Sequence, residues 1–384
     1  MNEEPHIAYT KPTRVAVVGA GIVGSTYAYT VLLQDLADEI VLIDVRGDKA
    51  RGEAMDLSHA APFTGRTAIW AGTMDDLTEA DLIMISAGMN QKPGQTRMDL
   101  LRENARIVGD IAEEAGALSP GAVFLVTTNP VDVMSYVTMK RSKASPSRVL
   151  GSGTALDTAR LRFLIGQDLG IDPRSIHAFV LGEHGDSELV AWSRAQVAGN
   201  SIVDWPDLDE DDRRAIAADV KGAAYEVIRM KGATCYAIAL TLAKITEAVL
   251  KDSRTVFSVS TYLDGQYGIY DVYLGAPAIV GRGGVVRTLE IPLSREELEQ
   301  LHESARLVKE ASESIQLGRQ QLFGIPRRPQ PLSGTALEET RGTSRAASAA
   351  SNETSLELAP DRVRARIPRR VGIKRVTKRP RRLI

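Results

Sequence analysis

Residues 14–44 constrain this chain more than any other stretch. Arg14 to Val18 is a short apolar run that reads as a strand, and Gly19-Ala20-Gly21-Ile22-Val23-Gly24 follows at once. Ser25 to Gln34 has a helix-compatible pattern, and Ile40 to Ile43 is a second apolar run ending in Asp44. Strand, glycine turn, helix, strand, acid is the order that holds a dinucleotide. Gly19 permits the tight turn and Gly21 lets a diphosphate approach the backbone. Gly24 lets helix and strand pack closely, with the helix N-terminus facing the phosphates. Asp44 stands twenty residues after Gly24, where a carboxylate accepts bonds from both ribose hydroxyls. It would repel a 2′-phosphate, so NAD is favoured over NADP. The alternative is a structural βαβ turn.

The alternation continues. Thr67 to Trp70, Asp81 to Ser86, Ala122 to Val126 and Arg148 to Leu150 read as strands, with helical patterns between them at Asp99 to Ala117 and Val131 to Lys140. Strands alternating with helices predict an α/β fold, a doubly wound parallel sheet covered on both faces. Ligands bind such sheets at the carboxyl ends of the strands. After Ser86 comes a polar loop of lid length, Ala87 to Arg97, which includes Gly88 and Gln91 and ends in an arginine at a helix start. Such a loop either closes over a site and carries Arg97 with it or is a solvated loop with a surface arginine. After Val126 comes Thr127-Thr128-Asn129-Pro130, with Asn129 held extended before the proline. After Leu150 comes Gly151-Ser152-Gly153-Thr154, leading into a helix that carries Asp157 and Arg160 on one face. These two form either an intrahelical ion pair or, with the arginine unpaired, a planar fork for a carboxylate ligand.

One of only five histidines sits between two glycines in Leu181-Gly182-Glu183-His184-Gly185-Asp186-Ser187, after a short apolar run, Ala178 to Leu181. Held this way, His184 either trades a proton near neutral pH or simply bonds to nearby backbone in a glycine-rich turn. Beyond Asp186 the pattern changes. Helices are expected over Asp209 to Arg229, Ala233 to Leu250 and Ser294 to Gly318. Antiparallel strands are expected over Ser253 to Tyr262, Tyr270 to Val280 and Gly283 to Leu289. This predicts a flexible N-terminus (1–13), a Rossmann domain (14–151), a second α+β substrate domain (152–318) and a tail (319–384), with the site between the domains.

Charge separates the tail from the rest. Residues 319–384 hold 16 Lys/Arg against 5 Asp/Glu, whereas residues 1–318 hold 31 against 44. The tail has no Tyr or Trp and no sustained apolar period, so it reads as disordered and basic. Its last stretch, Arg362 to Arg382, could touch nucleic acid or anionic membrane by charge alone, but no aromatic side chain interleaves those basic residues as a stacking platform. Nucleic acid is therefore not an expected partner. A single cysteine, Cys235, excludes an intramolecular disulfide and reads as a buried bystander thiol. No Cys/His cluster predicts a zinc site, so no metal is expected. No apolar run reaches membrane length, and Met1 to Thr13, with Glu3 and Glu4, lacks the apolar core of a signal peptide. A cytoplasmic protein is expected.

Taken together and in order, GAGIVG, Asp44, NQKPGQTR, TNP, GSGTALDTARLR, GEHGDSE and Lys231-Gly232-Ala233-Thr234 resemble the lactate/malate dehydrogenase family. Within it the bacterial L-lactate dehydrogenases are most similar, over about residues 13 to 318. The resemblance implies that His184 donates and accepts the proton and that Asp157 orients it. It implies that Arg160 grips the substrate carboxylate and that Arg97 polarises the carbonyl. Asn129 would help hold the substrate, with Gln91 and Thr234 around its variable group. NAD would lie along Gly19, Gly21, Ile22, Val23, Gly24, Asp44, Ala87, Gly88, Thr127 and Asn129, with Ser152 and Ile238 near the nicotinamide. Malate dehydrogenases place an arginine where Gln91 stands, so pyruvate and L-lactate are the expected substrates, and malate dehydrogenase the alternative. Gln95, where many relatives have glutamate, departs from the pattern. A homotetramer is implied, as is fructose 1,6-bisphosphate bound by Arg162 and His177. A silent nucleic-acid-binding protein is the alternative from another class, and the presence of His184, Asp157, Arg160 and Arg97 argues against it.

Overall fold

A computed structural model describes residues 11–89 and 96–317, apart from the side chains of Arg97, Gln316 and Leu317. Six parallel strands, β1 (Arg14–Val18), β2 (Glu39–Ile43), β3 (Ala68–Ala71), β4 (Leu82–Ile85), β5 (Val123–Val126) and β6 (Val149–Gly151), lie in the order β3-β2-β1-β4-β5-β6. This is the doubly wound arrangement, and its order reverses between β1 and β4. The strands read as continuous apolar runs because both faces are covered. Along β1, Val15 and Val17 join the core on one face, and Ala16 and Val18 that on the other, as alternating side chains must.

The helices are α1 (Ile22–Leu33), α2 (Gly47–Ala60), α3 (Arg97–Leu118), α4 (Val131–Ser142), α5 (Ala155–Leu169), α6 (Glu210–Lys231), α7 (Tyr236–Lys251) and α8 (Arg295–Leu317). Buried residues of α3, α4 and α8 belong to one core; those of α1, α2 and α7 belong to the other. The Tyr27 hydroxyl of α1 meets Thr246 Oγ1 of α7 at 2.6 Å inside the second core. Helix α3 starts two residues earlier than its apolar pattern suggests. The cause is a capping box in which Thr96 Oγ1 accepts the Asp99 amide at 3.1 Å, a cap worth about 1 kcal/mol.

Beyond α5, β7 (Ile176–His177), β8 (Val180–Leu181), β9 (Leu189–Val190), β10 (Gln196–Val197) and β11 (Asn200–Ser201) form two small antiparallel sheets. The predicted strand Ala178 to Leu181 pairs only over its last two residues. The long strands β12 (Thr255–Asp264), β13 (Tyr270–Gly281) and β14 (Gly284–Thr288) are antiparallel, as expected. They also continue the first sheet, because β12 pairs with β6 at Ser260 opposite Gly151. One continuous nine-stranded sheet therefore underlies both parts of the chain.

One expectation needs correction. Helix α7 does not begin at Ala233 as expected, but at Tyr236. Gly232 has φ +89° and ends α6, and Thr234 lies in the link before α7 begins at Tyr236. A left-handed glycine just past the last turn is a common helix stop. Among the described residues no helix is long and apolar enough to cross a membrane. The tail 319–384, the segment 1–10, and Asn90 to Gln95 lie outside the described residues.

Candidate active site

The loops after β1 and β4 meet at the point where strand order reverses. A Cβ on Gly19 would lie 2.6 Å from the Ala87 amide nitrogen, and one on Gly24 would lie 1.9 Å from the Gly19 carbonyl oxygen. Neither contact is physical, so both positions must be glycine. Gly21 differs: nothing lies within 4 Å of the place its Cβ would take. Gly21 is also the N-cap of α1, which has no side-chain cap and no acid in its first turn. The positive end of α1, with the first-turn amides of Ile22, Val23 and Gly24, thus opens onto free space that suits a diphosphate.

Asp44 Oδ2 accepts the Ala20 amide and Oδ1 the Arg46 amide, each at 2.9 Å. The carboxylate is thereby fixed to the glycine loop, and each oxygen keeps a second lone pair for a ribose hydroxyl. Ala87 and Thr127 are half-buried, Gly88 is exposed, Ser152 is buried, and Ile238 packs against the core beneath α7. The residues present therefore fit a dinucleotide.

The second group forms around His184. Strand β8 ends at Leu181, and Gly182 forms a bridge to Gly275 of β13 through paired backbone bonds of 3.0 and 2.9 Å. The His184 amide donates to Asp132 Oδ2 at 2.8 Å, and Asp132 Oδ1 accepts the Ser260 hydroxyl at 2.6 Å. His184 Nδ1 stands 2.6 Å from Asp157 Oδ2, and Arg160 Nη1 donates to Asp157 Oδ1 at 2.6 Å. The Asp157 side chain is 2% exposed and that of His184 is 25% exposed. An ionised Asp157 accepts Nδ1–H, which leaves Nε2 as the nitrogen that trades a proton with a ligand.

Burial would by itself lower the imidazole. The Asp157 bond and charge, joined by the charges of Asp132 and Glu188, outweigh it and lift His184 to about 9. Burial likewise resists ionisation of Asp157, yet the bond and charge of His184, with Arg160, hold its carboxyl below the usual range. Burial pushes Asp132 up to about 6, against the bonds from Ser260 and the His184 amide.

Residues 13–151 match the lactate/malate dehydrogenase NAD binding domain, and residues 154–317 match the lactate/malate dehydrogenase alpha/beta C-terminal domain. The chain belongs to the lactate/malate dehydrogenase family. NAD is its nucleotide. The dehydrogenase is similar to L-lactate dehydrogenase 1 of Peribacillus psychrosaccharolyticus, 46% identical over 302 residues, which is 77% of this chain and 95% of the relative. It is 45% identical to L-lactate dehydrogenase of Lacticaseibacillus casei, over 77% of this chain and 92% of the relative. The solved minor L-lactate dehydrogenase of Enterococcus mundtii, in its ligands-bound form, has a TM-score of 0.77 at 41% identity. That comparison covers 79% of this chain and 98% of the other.

In this dehydrogenase the structure brings His184, Asp157 and Arg160 together by direct bonds. Arg160 is not the unpaired fork that the residues alone left open. It spends Nη1 on Asp157, and its Nε and Nη2 donate to no described residue. Asn129 is exposed at the end of β5, and its carbonyl oxygen accepts from Asn104 Nδ2 at 3.0 Å. Thr234 is half-buried between α6 and α7. Gln91 and the Arg97 side chain lie outside the described residues, although the Arg97 backbone heads α3. Sequence reasoning missed Asp132 and Glu188. The available signal for Asp132 was an acid two residues into an otherwise apolar helix start, Pro130-Val131-Asp132-Val133. For Glu188 it was an acid four residues beyond His184.

Proposed function

We propose that the chain is an NAD-dependent L-lactate dehydrogenase that interconverts pyruvate and (S)-lactate as the closing step of fermentative glycolysis. The observation that carries this reading is the chain of bonds from His184 through Asp157 to Arg160, two cations held by one buried carboxylate. Bound NADH supplies the hydride to the carbonyl carbon. Charge grows on the carbonyl oxygen as the hydride arrives, and protonated His184 delivers its Nε2 proton there. Asp157 keeps the ring oriented and favours the imidazolium. Arg160, through its Nε and Nη2, grips the substrate carboxylate, and Arg97 adds a second positive charge near the oxygen. Gln91 is neutral, so the second carboxylate of oxaloacetate would be buried without a partner, a costly state; this disfavours malate dehydrogenase. Residues 14–151 hold the nucleotide and residues 152–318 the substrate. A reducing cytoplasm agrees with the free, buried Cys235.

The pH dependence tests this reading. Pyruvate binds the protonated imidazole, and His184 is raised to about 9. The KM for pyruvate is therefore flat through neutral pH and rises above about pH 9, about tenfold per unit. Steady-state NADH oxidation from pH 6 to 10.5 measures it. A KM that stays flat to the top of that range rejects His184 as the acid.

Activation by fructose 1,6-bisphosphate in a homotetramer is part of the same proposal. Arg162 points away from Asp157 and donates Nε–H to the Ala178 carbonyl at 3.1 Å, beside the exposed His177. Its guanidinium also stacks over Phe179. These two residues offer a pair of phosphate ligands at the surface, and a bisphosphate bridging subunits favours the assembled form by differential affinity. The expected result is a pyruvate saturation curve at neutral pH that shifts to lower concentration with the bisphosphate. An unmoved curve removes this part of the proposal.

A further inference from the structure

Glu188 is a buried carboxylate for which the reaction as described has no task. It is 8% exposed and lies four residues beyond His184. One oxygen of Glu188, one of Asp157 and a ring nitrogen of His184 all lie within 4.8 Å of one another. Asp157 is bonded by His184 and Arg160, and neither of those bonds goes to the Glu188 carboxylate. A carboxyl so largely buried is costly to ionise. Burial first, and the charge of Asp157 second, push Glu188 up to about 8. Its route to solvent is a cavity of about 560 Å³, lined also by Ser187, Lys221 of α6, and Glu296, Glu299 and Glu303 of α8. A cavity with so many charged walls holds water and lets Glu188 exchange protons.

We propose that Glu188 is a positioning residue for the proton chemistry of His184: its carboxylate, once ionised, keeps the imidazole protonated and extends pyruvate reduction toward alkaline pH. The groups facing Glu188 are Asp157, which opposes its ionisation, and His184, Lys221 and Arg160, which favour it. The charges that raise His184 are those of Asp157, Asp132 and Glu188. An ionised Glu188 adds a negative charge beside the imidazole and makes the loss of its proton more costly. Without a charge at Glu188 the imidazole would lose its proton earlier, with Asp157 and Asp132 alone to hold it.

This inference rests on His184 acting as the acid, and the experiment separates the two claims. The pH profile of kcat/KM for pyruvate is measured at saturating NADH for the unmodified enzyme, Glu188→Gln and Glu188→Asp. Glutamine keeps the shape and removes the charge; aspartate keeps the charge. One charge at this separation shifts a pKa by about one unit. The alkaline limb of Glu188→Gln therefore moves about one unit toward neutral, a loss of about tenfold at pH 10. The limb of Glu188→Asp stays closer to that of the unmodified enzyme. A limb unmoved in Glu188→Gln overturns the inference and leaves His184 in place. Equal shifts in both variants assign Glu188 to packing rather than charge, and also overturn it. An unmodified enzyme with no alkaline limb overturns both claims.

Discussion

Replacing His184 with glutamine lowers kcat for pyruvate reduction by about 10²–10⁴-fold, the range that a positioned general acid contributes. Glutamine still reaches Asp157 with an amide N–H, so the ring's anchoring bond has a substitute. What it lacks is an acidic proton at the position of Nε2. The hydride can still move, but charge on the carbonyl oxygen goes unneutralised. The alkaline rise in pyruvate KM disappears with the imidazole, because no titrating group remains to govern it. NADH binding, followed by its fluorescence, is retained, since the glycine loop and Asp44 belong to other elements. A variant that keeps kcat within tenfold of the unmodified enzyme shows that the proton comes from elsewhere.

Arg160→Leu raises KM for pyruvate by about a hundred- to a few thousand-fold. Removing one partner of a buried charge pair costs about 3–5 kcal/mol, and each 1.4 kcal/mol is a factor of ten in binding. The substitution acts twice. It removes the donors available to a substrate carboxylate, and it takes from Asp157 one of the two cations that hold it ionised. Arg160→Lys restores the charge without the planar fork, and so recovers only part of the loss. If Arg160→Leu changes KM less than tenfold, the carboxylate is held by another group, and Arg160 is merely the intrahelical partner of Asp157.

The sheet and the nucleotide crevice were legible because they rest on local rules. Gly19, Gly24 and Asp44 can be placed from spacing alone, since a βαβ unit is short and its close approaches occur within some thirty residues. The group around His184 was only half legible. Asp157 and Arg160 share a helix face, which spacing reveals, but the bond from Asp157 to His184 joins residues 27 positions apart. Without the family resemblance nothing would have paired them. Asp132 is still less visible, because it reaches the His184 amide and Ser260 across 52 and 128 residues. Glu188 looked like one more polar residue in a turn; only burial beside Asp157 sets it apart. Thr234 was misplaced for a local reason: the helical pattern runs from Ala233, but after Gly232 ends α6 with a positive φ the chain stays in a link until Tyr236.

The central claim is the proposed preference for pyruvate, a substrate with one carboxylate, over oxaloacetate, which has two. NADH oxidation with pyruvate and with oxaloacetate, compared as kcat/KM at neutral pH, tests it most directly. The account predicts a clear preference for pyruvate. A preference for oxaloacetate would contradict it.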